Sequence, residues 1–411
     1  MRAKLLITAV LLFSSIFLGA KEMTSIREFN VLPENTPEVN TVNLQKAIDW
    51  ATKIGAGLYV EPSEEPYHVN GGIILKNNVS LIGVHGPTPR GTLHETKKQP
   101  VGSVFKITDR ENVFITVQTG TQIKGIQFWY PEQTIRDPNA IIPYKASIRV
   151  SQESRTQGVY LSCLTFYGEY LAFDFNANRR YPCELMIFEH CYGFPLSGEF
   201  IRMDYVYDVP RILHCHVNPA IQRFVGGQYS KEVVDAVIAK KTFAYTINHT
   251  DNAQLMDLFT FGTYGGILLG EASYGQLTNF NFDCVAVGIL KRGNNTKNRN
   301  WQIAQGSIIA NTGEEVKNIH PIIIEGQGHT AISNVEAFSG GNGALSTVPE
   351  NMSWDYMLVR GDDKLTVSVW GSRMRNYMSE FPVSVENKKA VIHLSGCFNK
   401  DEDLVNTTIG K

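Results

Sequence analysis

The chain has 411 residues, and its 38 lysines and arginines nearly balance 40 aspartates and glutamates, for a formal net charge of −2. No basic run or stripe stands out, which argues against nucleic acid as a partner. Aromatic residues make up 10% of the chain and 35 residues are glycine, a composition typical of an all-β protein with many turns. The length allows one large domain or two ordinary ones.

The first twenty residues have the pattern of a secretory signal peptide. Arg2 and Lys4 supply a basic start, an apolar run covers residues 5–18, and Leu-Gly-Ala at residues 18–20 is a small-residue cleavage site. The run is short for a membrane span, and polar sequence follows at once. We therefore expect an exported, soluble protein, periplasmic or secreted, with no membrane partner.

One helix is predicted, over about residues 40–55. Asn40 or Thr41 is a suitable N-cap, and Gly55 and Gly57 are suitable stops. The apolar residues at helical spacing between them are Leu44, Ala47, Ile48, Ala51 and Ile54. An amphipathic helix of this kind can cover the open end of a stack of strands, which would otherwise expose apolar surface and unpaired backbone groups.

After the helix the sequence becomes a succession of short strands. The clearest are predicted at residues 57–60, 73–75, 79–82, 104–107 and 114–117, and the last at 390–394. A phrase of strand, Gly or Asn turn and strand returns roughly every 20–30 residues, a period typical of solenoids. A β-sandwich also has evenly spaced strands, but its hairpin signals are nearly absent. We predict an all-β parallel β-helix forming a single domain over residues 21–411.

The cysteines are few for an exported protein of this length. Because several occupy apolar strand positions, buried free thiols are expected over disulfides. Cys191 and Cys215 take equivalent places in successive repeats, which predicts an inward-facing column. The full set is Cys163, Cys183, Cys191, Cys215, Cys284 and Cys397.

The opening module, NLQKAIDWATKIGAGLYVEP and then YHVNGGIILKNNVSLIGVHG, resembles the pectate-lyase-like superfamily of right-handed parallel β-helices, related to family 28 glycoside hydrolases. The similarity extends more loosely through YPEQ (130–133) and residues 194–219, and fades after about Gly313. It implies a right-handed helix. Because the superfamily includes lyases, hydrolases, epimerases and phage tailspikes, the resemblance implies no single reaction.

The motifs of family 28 polygalacturonases are incomplete in this chain. Asn281 and Asp283 make an Asn-x-Asp, but the Asp-Asp, Gly-His-Gly and Arg-x-Lys motifs do not follow in successive coils. The only Asp-Asp, at residues 362–363, comes late and in a turn-like setting. The catalytic residues of that family are therefore not carried over.

Residues 194–219 stand out because two predicted strands display charge on one face. The side chains predicted to face outward are Arg202, Asp204 and Asp208 on the first strand, and His214 and His216 on the second. Their apolar, inward partners are predicted to be Ile201, Met203, Tyr205 and Tyr207, then Leu213, Cys215 and Val217. Such a pattern indicates a site on rigid strands.

These residues suit a β-elimination at a uronic acid, which needs a cation for the carboxylate, a base and an acid. Arg149 and Arg202 would bind the carboxylate, because the guanidinium fork suits bidentate contact. His216 would be the base and Tyr264 the acid. Strands in adjacent coils stack about 4.8 Å apart, so the side chains are expected to converge on one sugar ring.

Further candidates complete the predicted site. For catalysis they are Asp204, Lys241 and His249, and for substrate binding His214, Arg211 and Trp129. Trp129 belongs to the aromatic run 128–130, which suits a sugar-stacking platform or the core. The expected activity is that of an exported lyase acting on a uronate-containing cell-wall polysaccharide or oligosaccharide. The leaving group is either a glycosidic oxygen or, in a dehydratase, water from a terminal uronate.

Three alternatives stay open at this level. A glycoside hydrolase would need two carboxyl groups from Asp174, Asp204, Asp208 and Glu271. A metal could be held by His214, His216 and Asp204, and calcium is also possible, although no cofactor requirement is evident. A non-catalytic β-helix that only binds polysaccharide is the third alternative.

Overall fold

The computed structural model describes residues 23–85, 98–293, 300–310, 318–339, 353–375 and 377–410. The predicted signal peptide lies outside these residues. The described part contains two α-helices, α1 (Pro37–Ile54) and α2 (Lys231–Ala239), and 34 strands. Short 3₁₀ helices occur at Ile26–Phe29, Pro138–Ala140 and Pro219–Phe224.

Most strands have two to six residues, and the longest have 11 or 12. In chain order they are β1 Thr24–Ser25, β2 Gly57–Tyr59, β3 Tyr67–His68, β4 Ile73–Leu75, β5 Ser80–Ile82, β6 Val104–Lys106, β7 Ile115–Val117, β8 Gln122–Lys124, β9 Gln127–Trp129, β10 Ile148–Val150, β11 Thr156–Tyr167, β12 Phe173–Asn176, β13 Cys183–Gly193, β14 Ile201–Asp204, β15 Val206–Tyr207, β16 Arg211–Leu213, β17 His216–Val217, β18 Phe243–Ile247, β19 Ala253–Met256, β20 Phe259–Phe261, β21 Gly265–Leu269, β22 Gly275–Val285, β23 Val287–Lys291, β24 Asn300–Ala310, β25 Asn318–Ile319, β26 Ile322–Ile324, β27 Gly328–Ser339, β28 Ser353–Trp354, β29 Met357–Val359, β30 Leu365–Trp370, β31 Arg373–Met374, β32 Val383–Val385, β33 Val391–Phe398 and β34 Leu404–Ile409.

Two long sheets run through the described coils. The smaller has eleven parallel strands in the order β4-β7-β10-β12-β14-β18-β21-β23-β26-β29-β32, and the larger has 21. A typical coil contributes one strand to the smaller sheet and two runs to the larger, and each run pairs in parallel with the next coil. The predicted parallel β-helix is therefore confirmed.

A single left-handed residue separates the two runs of the larger sheet in coil after coil. These residues have φ between 52° and 55°: Cys163, His190, His214, Asp257, Asn279, Gln305 and Asn334. One residue in this conformation turns the chain sharply and shifts the in–out alternation by one position. Ile212 rather than the predicted Leu213 is therefore buried before His214, while Cys215 and Val217 are buried after it, as predicted.

The interior is packed with apolar side chains that stack from coil to coil. The Phe128 and Phe166 rings lie 4.8 Å apart and nearly parallel, and Phe173 meets Phe166 edge-on at 5.1 Å. Cys191 and Cys215 are both buried in this core. All six cysteines are free, as predicted; five are buried and Cys284 is half-buried.

Helix α1 confirms the predicted capping element but begins earlier than expected. Thr36 is the N-cap, accepting a hydrogen bond from the Val39 amide, and Gly55 ends the helix with φ 68°. Asn40 is instead fully buried, where its side chain donates to the Leu32 and His68 carbonyls. Of the predicted apolar face, Leu44, Ala47, Ile48 and Ala51 join the core and Ile54 is exposed.

Sequence reasoning missed helix α2. It is only nine residues long and buries Val233, Val237 and Ile238, too short a stripe to stand out from a β pattern. Ser230 caps it, and the Ser230 amide and hydroxyl also donate to the carbonyls of Ile135 and Arg136. These bonds join the α2 insertion to the loop that precedes β10.

The C-terminal end also differs from the prediction, which placed the last strand at residues 390–394. Strand β34 follows β33 and pairs with it antiparallel, in contrast to the parallel pairing elsewhere between the described strands. It covers an edge that would otherwise be open. No helix among the described residues combines the length and apolarity that a membrane crossing requires.

Candidate active site

A polar column runs along the outer face of the smaller sheet. Arg149 on β10, Asp174 on β12, Arg202 on β14 and Thr246 on β18 are in direct register with one another. Their neighbours Ile148, Phe173, Ile201 and Tyr245 fill the core. The period-two alternation of the strands thus places four polar side chains in one outward row.

Arg202 lies at the centre of this column, between two carboxyl groups. Its Nε and Nη2 donate to the two oxygens of Asp174 at 2.9 and 3.0 Å. Its Nη1 lies 3.6 Å from Glu199 Oε2, and the Thr246 hydroxyl donates to Glu199 Oε1 at 3.3 Å. One guanidinium therefore orients two acids on the same face.

Burial raises the pKa of the Glu199 carboxyl above its ordinary value. The nearby Asp174 charge acts in the same direction, and Arg202 and the Thr246 hydrogen bond oppose it without cancelling it. The pKa of Arg202 is raised too, chiefly by its hydrogen bonds to Asp174. Glu199 is thus a carboxyl group that keeps its proton to a higher pH than an exposed glutamate does, which is the property of a general acid.

A carboxylate–histidine pair lies at the carboxyl end of the same strands. His249 Nδ1 donates to Asp204 Oδ1 at 2.8 Å, and its ring stacks on Tyr205 with centroids 4.4 Å apart. Because the carboxylate accepts at Nδ1, Nε2 is the basic nitrogen of the neutral ring. The pair can therefore orient a general base.

Four predicted site residues come together on this face: Arg149, Arg202, Asp204 and His249. Arg149 also donates from Nε to Thr116 Oγ1 at 3.2 Å. Asp174, predicted only for the hydrolase alternative, is part of the same group.

The predicted convergence of Arg202 with His214 and His216 is wrong. Tyr205 adopts φ 53° and ends β14, so the chain leaves the smaller sheet. Arg211, His214 and His216 then follow on the larger sheet, where His216 stacks on Phe259 at 4.2 Å. The two strands read from residues 194–219 are consecutive in sequence, but they lie on different sides of the helix.

Asp174, Glu199 and Arg202 are called the acid–arginine group below. The remaining predicted residues lie apart from it. Trp129 is on β9 of the larger sheet, half-buried against the core. Tyr264 packs with Phe243 and Leu268 in an apolar cluster, and burial raises the pKa of its hydroxyl. Lys241 is exposed just after α2. In the hydrolase set, Asp208 and Glu271 lie in exposed turns.

Sequence reasoning missed Glu199. It lies in the turn before β14, outside the alternating pattern that was used to select outward residues. The available signal was an acid directly before a buried strand, within a block that already carried unusual charge. Its contact with Arg202 depends on a turn that periodicity does not describe.

The structure does not bring together the metal ligands predicted from sequence, His214, His216 and Asp204. Asp204 is on the smaller sheet, whereas His214 and His216 are on the larger one. Among the described residues, the group of three potential ligands that the fold brings together is Glu189, His190 and His214.

The stacked parallel sheets define the chain as a protein with the right-handed parallel β-helix fold. No protein-family model matches the chain, and no curated protein sequence matches it. Solved structures do match it.

DFA-IIIase from Arthrobacter chlorophenolicus A6 is 11% identical, with a TM-score of 0.56 over 93% of this chain and 97% of that one. The pre-mature gene product 12 of bacteriophage phi29 is 11% identical, with a TM-score of 0.53 over 95% of this chain. The match spans 54% of the length of that phage protein. These similarities establish the fold alone.

Proposed function

We propose that the protein is a carbohydrate-active enzyme that hydrolyses glycosidic bonds on the outer face of the smaller sheet. The observation that carries this proposal is the arrangement of Glu199 and Asp174 around Arg202. It pairs a carboxyl group whose pKa is raised by burial with a second carboxyl group held in a bidentate ion pair. A glycosidase needs one protonated and one ionised carboxyl group on either side of the scissile bond.

The spacing of the two acids is compatible with this chemistry. Because one guanidinium contacts both, their carboxyl carbons lie within about 10 Å of each other, the range in which glycosidases place their catalytic pair. Glu199 would protonate the leaving oxygen. Asp174 would act on the opposite side of the sugar, as the base for water or as the nucleophile.

The same contacts weigh against the lyase expected from sequence. A β-elimination needs surplus positive charge to neutralise the uronate carboxylate. Arg202 already faces Asp174 and Glu199, so its charge is offset before any substrate arrives. His216 and Tyr264, the expected base and acid, lie away from this group.

A second candidate function is β-elimination with a different base. The Asp204–His249 pair favours it, because His249 Nε2 is left as the basic nitrogen. Arg149 would then contact the uronate carboxylate. This alternative keeps the reaction expected from sequence and replaces His216 by His249.

Product analysis distinguishes the two reactions. The protein is incubated with xylan, mixed-linkage β-glucan and homogalacturonan, and the products are examined by mass spectrometry and ultraviolet absorbance. Hydrolysis gives saturated fragments that have gained one water, and elimination gives unsaturated uronates that absorb in the ultraviolet. We expect saturated fragments. Unsaturated products would establish the second candidate, and no product from any glycan would favour the non-catalytic alternative.

Paired variants assign the roles. Glu199→Gln removes the acidic proton with little change in shape and should lower the rate of glycan hydrolysis about 10²–10⁴-fold. His249→Ala should retain most of the parent's rate. Glu184→Gln is the control, because Glu184 also forms an ion pair with an arginine, Arg155, but on the larger sheet. A large loss with His249→Ala and a small one with Glu199→Gln would contradict the hydrolase assignment.

The pH profile provides an independent test. Glu199 must be protonated to act as the acid, so the rate should fall as pH rises through its raised pKa. Glu199→Gln should abolish that alkaline decline. We also propose that the enzyme acts outside the cytoplasm, on the strength of the signal-peptide pattern in residues 1–20.

A further inference from the structure

A group of metal-ligating side chains lies at the corner of the larger sheet, separate from the candidate active site. Glu189, His190 and His214 each offer one donor atom, and these three atoms all lie within 4.8 Å of one another. Glu189 and His190 belong to β13, and His214 lies in the next coil, between β16 and β17. The acid–arginine group, by contrast, is on the smaller sheet.

The backbone of the corner brings the two histidines together. His190 and His214 are both left-handed corner residues, with φ 52° and 55°. Their rings stack with centroids 4.8 Å apart and planes within 14°, the spacing of adjacent strands in a sheet. Two aligned corners thus present two imidazoles in a column, with the Glu189 carboxylate beside them.

Each of the three ligands has an outer hydrogen-bond partner. Asp257 Oδ2 is 2.8 Å from His214 Nδ1, and the Tyr192 hydroxyl is 3.3 Å from His190 Nδ1. The Tyr160 hydroxyl donates to Glu189 Oε2. Metal-binding histidines commonly have one ring nitrogen held by a carboxylate or another polar group, which leaves the other nitrogen for the ion.

From this arrangement we infer that Glu189, His190 and His214 bind a divalent transition-metal ion of the Zn²⁺ type. Two imidazoles and one carboxylate suit Zn²⁺, whereas Ca²⁺ and Mg²⁺ require oxygen ligands. At metal–nitrogen distances of about 2.0–2.1 Å, tetrahedral ligand atoms lie roughly 3.3 Å apart. The donor atoms must therefore close by at most about 1.5 Å. The two stacked imidazoles must also turn until the ion lies in both ring planes, and all three side chains are half-exposed.

The cluster lies beside a groove in the larger sheet. Asp257, which holds His214, also lines a groove of about 590 Å³ together with His216, Phe259, Asn279, Asn281 and Gln305. Three protein ligands leave one position of a tetrahedral Zn²⁺ for water or a ligand oxygen. The ion would lie at one end of a groove rich in amides.

Isothermal titration of the chelator-treated, full-length protein with Zn²⁺ tests the inference. One Zn²⁺ per chain should bind, with affinity at least 100-fold above that for Ca²⁺. His190→Ala or His214→Ala should weaken binding at least 100-fold. Asp257→Asn, which alters only the outer partner, should weaken it about 10–100-fold.

His393→Ala is the control, because His393 is an outward histidine of the same sheet that bonds to Thr408. It should leave Zn²⁺ binding unchanged. If the histidine variants do not fold, as judged by circular dichroism, Glu189→Gln and Asp257→Asn provide the same test. Absence of Zn²⁺ binding, equal affinity for Ca²⁺, or binding that survives substitution of the ligands would overturn the inference.

Discussion

The outer face of the smaller sheet has two halves that differ in chemistry although they share one backbone register. In the first half, the outward column contains Arg149, Asp174, Arg202 and Thr246. In the second half, the same column continues through Leu268, Leu290, Ile323 and Leu358. Leu290, Ile323 and Leu358 are each only 5% exposed and form a second apolar cluster.

The difference separates what the coil requires from what a site requires. The inward positions are apolar in both halves, because stacked coils must bury an apolar face. The outward positions are under no such constraint: the second half fills them with leucine and isoleucine, while the first half places carboxyl groups and an arginine there. Buried charges are costly unless paired. The polar half therefore depends on the ion pairs of Arg202 with Asp174 and Glu199, and the leucines and isoleucine of the apolar half require no such pairing.

The strongest test of the polar half is Arg202→Met. It should lower kcat/KM about 10²–10³-fold, or roughly 2.7–4 kcal/mol, because Asp174 and Glu199 lose the group that orients them. Since Arg202 opposes the rise in the pKa of Glu199, its removal should also shift the alkaline limb of the pH–rate profile to higher pH. Arg202→Lys should restore part of the rate.

Arg155→Met is the matched control, because Arg155 forms its ion pair with Glu184 on the larger sheet. It should leave both the rate and the pH profile unchanged. A rate loss with Arg202→Met but no shift of the alkaline limb would mean that Arg202 only maintains the local fold.

A pair of exchanges across the two halves tests the apolar half. Leu290→Thr should lower the free energy of unfolding by about 2–3 kcal/mol, because it removes buried apolar volume and introduces a hydroxyl there. Thr246→Leu, at the equivalent position two strands earlier, should cost about 1 kcal/mol or less, mainly the hydrogen bond to Glu199. Denaturant unfolding measures both. Equal costs would show that the two halves do not differ in this way.

A further test concerns Glu169, a fully buried acid in the turn before β12. Burial raises its pKa well above the ordinary value. As pH rises above the unfolded-state pKa of about 4.3, the unfolded chain releases this proton and the folded chain keeps it. Glutamate at this position therefore costs the folded state about 1.4 kcal/mol per pH unit, up to the folded pKa.

The variant Glu169→Gln lacks this cost. Its free energy of unfolding, relative to that of the parent, should therefore be higher at neutral pH than at pH 4.5. Unfolding curves at several pH values measure the difference. A stability difference that stays constant with pH would contradict the assignment of a protonated, buried Glu169.

Part of the site was accessible from sequence. Arg149, Arg202 and Asp204 were selected from alternation and His249 as a further candidate, and the four share one face. Glu199 was missed because it lies in a turn, where no period applies. His214 and His216 were placed on the wrong face because a single left-handed residue, Tyr205, redirects the chain between sheets.

The sequence by itself determined the repeating coil, the buried cysteines and the capping helix, because each depends on local periodicity and on the burial of apolar faces. Only the tertiary structure decided which charged residues meet. Residues of one sheet face come from coils 25 to 45 positions apart, such as Asp174 with Arg202 and Asp204 with His249. The turns between strands set that register. Their lengths and the positions of their left-handed residues do not repeat at a fixed interval, so the sequence pattern does not predict them. Residues 194–219 therefore supply side chains to two faces: Arg202 and Asp204 to the acid-bearing one, and His214 to the proposed metal site.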